Sequence, residues 1–203
     1  LRAGSPPDIA AEIRPLALEV ALHRRSFLMS AAALAAVPLA VSAAGAAEDK
    51  ANTLYLDLKG GRVVIQLRPD LAPKHVERIK TLAARGFYNG LKFHRVIDGF
   101  MAQTGDPKGN GTGGSDLPDL PAEFSAAPFV RGTLGMARSS DPNSANSQFF
   151  ICFADARFLD KKYTVFGEVV SGMEFVDAIK KGSSAQNGTV VNPDVIVKMS
   201  LAQ

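Results

Sequence analysis

The chain has 203 residues, 46% of them hydrophobic and 21% charged, with a formal net charge of +3. Such a composition provides for one well-buried core, and the interspersed charges, with no basic stripe, exclude a nucleic-acid partner. One cysteine, Cys152, and three histidines, at 23, 75 and 94, exclude an intrachain disulfide and a zinc cluster. Cys152 lies in the apolar run Phe149-Phe150-Ile151-Cys152-Phe153, which reads as a buried, inert thiol.

Residues 1–47 read as a leader. Arg24-Arg25-Ser26-Phe27-Leu28 precedes an uncharged, alanine-rich stretch that closes in the small residues Ala43-Ala44-Gly45-Ala46-Ala47. This is the plan of an export signal, over about residues 23–47, and it resembles the twin-arginine type that carries folded proteins across a bacterial inner membrane. Ala44-Gly45-Ala46 fits a small-x-small cleavage site, so the mature chain is expected to start at Ala47 or Glu48. Residues 48–203 then form a single periplasmic domain with no stable membrane association, by default a monomer.

Thr53 to Leu58 alternates leucine with other residues, Gly60-Gly61 marks a tight turn, and Val63 to Leu67 resumes the period of two, which predicts a β-hairpin. Pro73 stands where a first helical residue is tolerated. Val76, Ile79, Leu82 and Ala83 then form a stripe at helical spacing, and Gly86 marks the stop. His75 falls off that stripe and is expected to be solvated. Strand, glycine turn and strand are predicted over residues 93–106, followed by a long irregular loop containing Gly105, Gly109, Gly111, Gly113 and Gly114. That loop lacks the spacing of a phosphate-binding motif. Further strands are predicted over residues 132–137, 148–153 and 164–170, a second helix over 173–180, and a closing strand over 194–201. Many short strands, two helices and no βαβ alternation predict a mainly β fold, a closed antiparallel eight-stranded barrel capped by two α-helices.

No serine-histidine-acid set or paired carboxylates stand out. If Gly99 supplies the bend, Arg95, Met101 and Gln103 project toward one surface, while His94 points the other way as a structural or solvated side chain. Such a surface combines an apolar floor with a cationic donor and suits an uncharged ligand carrying an amide. Spacing alone leaves Arg95 either a solvated charge or a functional donor, and leaves Phe100, Met101 and Phe150 as core.

Phe93-His94-Arg95-Val96-Ile97-Asp98-Gly99-Phe100-Met101-Ala102-Gln103-Thr104-Gly105-Asp106 resembles the signature of the cyclophilins, barrel-shaped peptidyl-prolyl cis-trans isomerases. Gly132-Thr133-Leu134-Gly135-Met136-Ala137-Arg138, continuing through Asn146-Ser147-Gln148-Phe149-Phe150-Ile151, is similar to the family's other pocket-forming segment. Gly86-Phe87-Tyr88, Phe158-Leu159-Asp160 and Val165-Phe166-Gly167 add to the resemblance, which runs in order from about Thr53 to the C-terminus. It implies that Arg95 is the catalytic arginine and that Gln103 contacts the substrate backbone. It implies a proline pocket of Phe100, Met101, Phe150 and Leu159, and an adjoining groove lined by Ala137, Arg138 and Gln148. Phe158 stands where eukaryotic members have the tryptophan that binds cyclosporin, which implies weak inhibition by that drug. Tyr163 stands in place of a pocket histidine, and Arg138 in place of an asparagine that meets substrate largely through its main chain.

The implied activity is rotation of X–Pro bonds in proline-containing polypeptides, aiding protein folding, with no cofactor and no metal. The alternative is a proline-peptide binding or chaperone module without turnover. Arg95 separates the two, because a pure binder has no use for a donor aimed at a twisted prolyl nitrogen.

Overall fold

A computed structural model describes residues 49–202. The expected leader, residues 1–47, and its cleavage site lie outside the described residues. The opening hairpin forms as the alternation predicts. Strand β1 (Thr53–Leu58) pairs with β2 (Gly61–Leu67) in a register that sets Leu54 opposite Ile65 and Leu56 opposite Val63, all four fully buried. Leu58 pairs with Gly61, so the two-residue turn is Lys59-Gly60 and Gly61 opens β2. A Cβ on Gly61 would fall 2.4 Å from the Phe175 ring, so any larger residue there would have to displace that ring.

Helix α1 (Pro73–Ala84) buries Val76, Ile79, Leu82 and Ala83 against the sheet. It ends in a Schellman arrangement: Gly86, at φ 69°, donates to the Ala83 carbonyl and Phe87 to that of Leu82. Its start carries no side-chain cap from the preceding residue, Ala72. Glu123, from a distant loop, accepts instead from the backbone N–H groups of Lys74 and His75 and lies 2.7 Å from His75 Nδ1. His75 is therefore fully buried, contrary to its expected solvation. A helical wheel shows which face meets the sheet, but not that a loop 48 residues away covers the helix entrance.

After α1 come β3 (Arg95–Ile97), β4 (Met101–Thr104), β5 (Thr133–Met136), β6 (Phe149–Cys152), β7 (Val165–Ser171), a short helix α2 (Met173–Asp177) and β8 (Lys198–Leu201). All eight strands pair antiparallel in one sheet of order β3-β4-β6-β5-β7-β2-β1-β8. The expected eight strands and two helices are present, but the barrel is not closed by a ladder. β3 and β8 are the sheet's two edges, and residues 187–196 lie between them, held by bridges Arg95–Thr189 and Lys92–Val195. Pro193 and the left-handed Asn187, Gly188 and Asn192 keep residues 187–193 from forming a continuous strand, and Asp194 and Ile196 bond to the backbone of residues 90–93, so β8 begins at Lys198 rather than at the predicted residue 194. α2 likewise stops at Asp177 rather than residue 180.

Phe93, Phe149, Phe166 and Tyr88 fill the interior, with Tyr88 and Phe166 packed edge-on to Phe149 at centroid distances of 5.6 and 6.0 Å. Between β4 and β5 the predicted glycine-rich loop is organised by two side chains. Asp106 accepts the N–H groups of Lys108, Asn110 and Gly111 at 2.8, 2.9 and 2.6 Å. Asn146 accepts from Ser115 and donates to the Leu117 carbonyl.

Candidate active site

The β3–β4 hairpin turns at Gly99, whose φ of 68° favours glycine, and sets Arg95 opposite Gln103 and Ile97 opposite Met101. β4 in turn sets Gln103 opposite Phe150 of β6, and β6 sets Phe150 opposite Gly135 of β5. Directly opposed residues of antiparallel strands share a face, so Arg95, Gln103, Phe150 and Gly135 form a row across four strands. The alternate residues, Val96, Ala102, Phe149, Ile151 and Leu134, face the interior.

At Gly135 a Cβ would lie 2.4 Å from Phe150 Cζ and 2.6 Å from Phe129 Cε1. The missing side chain lets the Phe150 ring lie on the sheet, stacked on Phe129 with centroids 5.7 Å apart. Met101, Phe150 and Leu159 are buried in this second apolar cluster, with Phe100, Ala137 and Tyr163 packed on it half-buried. Cys152 lies in the same cluster, and burial pushes its thiol up to about 12, in keeping with the inert role expected of it.

The turn Arg157–Leu159 brings Phe158 and Leu159 over the row. It is fixed from below, where Ala156 donates to the Phe129 carbonyl and Phe129 to Asp160 Oδ1. Phe158 is 61% exposed, and its ring lies 5.3 Å from that of Phe100. Every residue expected at the site except Gln148 lines one cavity of about 270 Å³: Arg95, Gln103, Ala137, Arg138 and Tyr163 beside Phe100, Met101, Phe150, Phe158 and Leu159. Gln148 lines an adjoining cavity of about 530 Å³, built by the 111–114 loop, Asn146 and Ser144, and shares Gln103, Ala137 and Arg138 with the first.

Polar contacts tie the two cavities together. Arg95 Nη1 donates to Gln103 Oε1 at 3.2 Å, Gln103 Nε2 to Gln148 Oε1 at 3.0 Å, and Gln148 Nε2 to the carbonyls of Gly111 and Gly113. With its amide nitrogen committed to Gln148, Gln103 presents oxygen to Arg95. Arg138 divides the cavities: its guanidinium donates to the carbonyls of Lys162 and Ser139 and lies 4.4 Å over the Tyr163 ring.

A model of the cyclophilin type peptidyl-prolyl cis-trans isomerase/CLD family matches residues 53–201. The chain belongs to the cyclophilin-type peptidyl-prolyl cis-trans isomerases. It is 60% identical over 190 residues to a probable peptidyl-prolyl cis-trans isomerase of Brucella suis, covering 87% of this chain and 97% of that protein. That share of the chain exceeds what residues 53–201 make up, so the likeness continues before Thr53. Peptidyl-prolyl cis-trans isomerase-like 3 of Gallus gallus is 42% identical over 135 residues, covering 64% of this chain and 82% of its own. Among solved structures, the cyclophilin AquaCyp293 from Hirschia baltica aligns with a TM-score of 0.66 and 28% identity over 75% of this chain and 74% of its own. A Cryptosporidium parvum cyclophilin-type isomerase, crystallised in the presence of the dipeptide Ala-Pro, aligns with a TM-score of 0.68 and 26% identity over 74% and 99%.

In this cyclophilin Arg95 is half-buried, and burial pushes its pKa down from the ordinary guanidinium value. The partial loss of water strengthens any hydrogen bond it makes. His94 is buried, with neither ring nitrogen hydrogen-bonded among the described residues. Gly135, Phe129 and Asn187, which donate no chemistry of their own, were not singled out from the sequence. Asn187 accepts from Arg95 Nε at 3.0 Å through its carbonyl and from Nη2 at 2.9 Å through Oδ1. Only the glycine inside a strand hinted at any of them, since an interior strand glycine marks a close approach.

Proposed function

We propose that this isomerase acts on X–Pro bonds of polypeptides in the periplasm, with Arg95 as its catalytic residue and the 270 Å³ cavity as its proline site. The observation that carries this reading is the state of Arg95: three of its N–H groups are held by Asn187 and Gln103, leaving two of five without a partner among the described residues.

Rotation about an X–Pro bond crosses a barrier of about 18–20 kcal/mol because amide resonance must be broken, and unaided it takes roughly tens to hundreds of seconds. In the twisted state the prolyl nitrogen becomes pyramidal and gains a lone pair. A guanidinium N–H can donate to that lone pair, which the planar amide does not offer, so the bond lowers the barrier without tightening ground-state binding equally. Met101, Phe150, Leu159 and Phe100 would grip the pyrrolidine ring, and Gln103 would hold the adjacent backbone. The groove past Ala137, Arg138 and Gln148 would take the rest of the peptide. A rate gain of about 10⁵ needs only about 7 kcal/mol, within reach of orientation, desolvation and one charged donor acting together. Neither a nucleophile nor a metal enters this scheme.

An assay of cis-to-trans conversion in a proline tetrapeptide tests the reading. Arg95→Ala is expected to lose roughly 10²-fold in kcat/KM at little cost in stability. Wild-type activity in that variant would remove the assignment. The periplasmic setting rests on Arg24-Arg25-Ser26-Phe27-Leu28 and the small residues before Glu48. Replacing both arginines with lysine is expected to stop export of the folded protein, scored by cell fractionation; continued export would point to the general secretory route.

A further inference from the structure

The arginine's outer edge is gripped by a segment that follows β3 by some ninety residues, and the construction of that grip is specific. Asn187 has φ 51° and ψ 36°, and Gly188 after it has φ 81°, two successive left-handed residues. The turn they make is pinned to β3: the Gly188 carbonyl accepts from Val96 N–H at 2.8 Å, Gly188 N–H donates to the Ser183 carbonyl, and Gly182 N–H to that of Val96. Thr189 continues the contact as the bridge partner of Arg95 itself. The fit allows no side chain at residue 188, where a Cβ would fall 2.5 Å from Ile97 Cγ1. The two acceptors of Asn187 thus belong to the same rigid frame as the backbone of Arg95.

Those acceptors take Nε and Nη2, the side-on edge of the guanidinium, while Gln103 takes Nη1. Two bonds to one edge fix the plane of the group as well as its position. A long side chain with four rotatable bonds is thereby held in one orientation before substrate arrives, which is what a donor aimed at a transient lone pair requires. Asn187 is itself exposed, and its two bonds lie on the solvent side of the guanidinium.

We propose that Asn187 is a positioning residue for the isomerase reaction: its carboxamide and carbonyl, presented from a left-handed turn locked on β3, orient the Arg95 guanidinium so that its remaining N–H groups face the proline cavity. This rests on the assignment of Arg95 as the catalytic residue.

Asn187→Gly is the informative variant, because glycine keeps the left-handed backbone and the carbonyl acceptor and removes the side chain with its Oδ1 acceptor. The test measures kcat and KM for wild type and Asn187→Gly, each with Arg95 and with Arg95→Ala. Alongside, NMR follows solvent exchange of the Arg95 Nη2 protons, which bond to Oδ1, in Asn187→Asp as well. Expected are a fall in kcat of about five- to tenfold with KM within about twofold, no further loss when Arg95 is already alanine, and faster exchange of the Nη2 protons. Asn187→Asp, which keeps an acceptor in place, should retain the slow exchange. An unchanged kcat in Asn187→Gly, with Arg95→Ala impaired, overturns this inference alone. Equal losses in both backgrounds would make Asn187 merely structural and also overturn it. Full activity in Arg95→Ala would remove the assignment of Arg95 and this proposal with it.

Discussion

Phe149 and Phe150 are consecutive in β6, chemically identical and both buried, yet they belong to different regions of the molecule. Phe149 points into the interior, edge-on to Tyr88 and Phe166. Phe150 points to the other face, stacked on Phe129 and forming a wall of the 270 Å³ cavity. Phe149 is fully buried in the interior and lines no cavity of the site, so its packing contributes to stability. The cavity-side cluster is packed from below and open above, and its apolar surface remains available to a ligand. A strand buried on both faces can therefore serve both regions at once, with one residue of offset deciding which.

Substitutions at adjacent positions should separate the two roles. Phe149→Ala is expected to destabilise the fold by about 3–5 kcal/mol, read from denaturant unfolding, because it leaves an interior void lined by fixed rings. A loss below about 1 kcal/mol would erase the distinction between the faces. Gly135→Ala is expected to cost about 1–3 kcal/mol and, in addition, to lower kcat/KM several-fold, since the new methyl group must displace the Phe150 or the Phe129 ring. Unchanged activity in that variant would show that ring placement in the cavity is not critical.

A last expected effect is a pH dependence of stability. Burial lowers the pKa of His75 and His94 from the ordinary 6.5, so the unfolded chain takes up protons that the folded chain refuses. Stability is then full above pH 6.5 and falls as pH drops from there toward the folded-state values, by at most about 1.4 kcal/mol per pH unit for each proton. Glu123 adds to the loss at lower pH. Burial pushes its carboxyl up, but the hydrogen bonds from the His75 ring and the His75 and Lys74 N–H groups outweigh that and hold it below its ordinary value. Thermal melts between pH 7.5 and pH 4 check this, and a melting temperature that rises on acidification would contradict it.

Periodicity in the sequence was enough to find the β1–β2 hairpin, α1 and the strands that carry the site, because each is specified by neighbours within a few residues. The Arg95 to Gln103 pairing was legible for the same reason: a glycine turn sets the register of a short hairpin, and register sets the face. Resemblance to the cyclophilins then singled out Phe158, Leu159 and Tyr163, whose roles no local pattern could suggest. Where the expectation failed, the cause was a distant partner. His75 is covered by Glu123, and the closing strand is shortened because Asp194 and Ile196 bond to the backbone of residues 90–93 before the ladder with β1 begins.

Local sequence thus determined which residues alternate, where the chain turns, and that an arginine and an amide share a surface with apolar side chains. Tertiary structure alone decided that this surface is a cavity, that Phe150 can lie across Gly135, and that Asn187 meets the Arg95 guanidinium from 92 positions away. The physical reason is range: backbone geometry and side-chain period act between near neighbours, whereas enclosure and two-point hydrogen bonding depend on segments that meet only when the sheet curls.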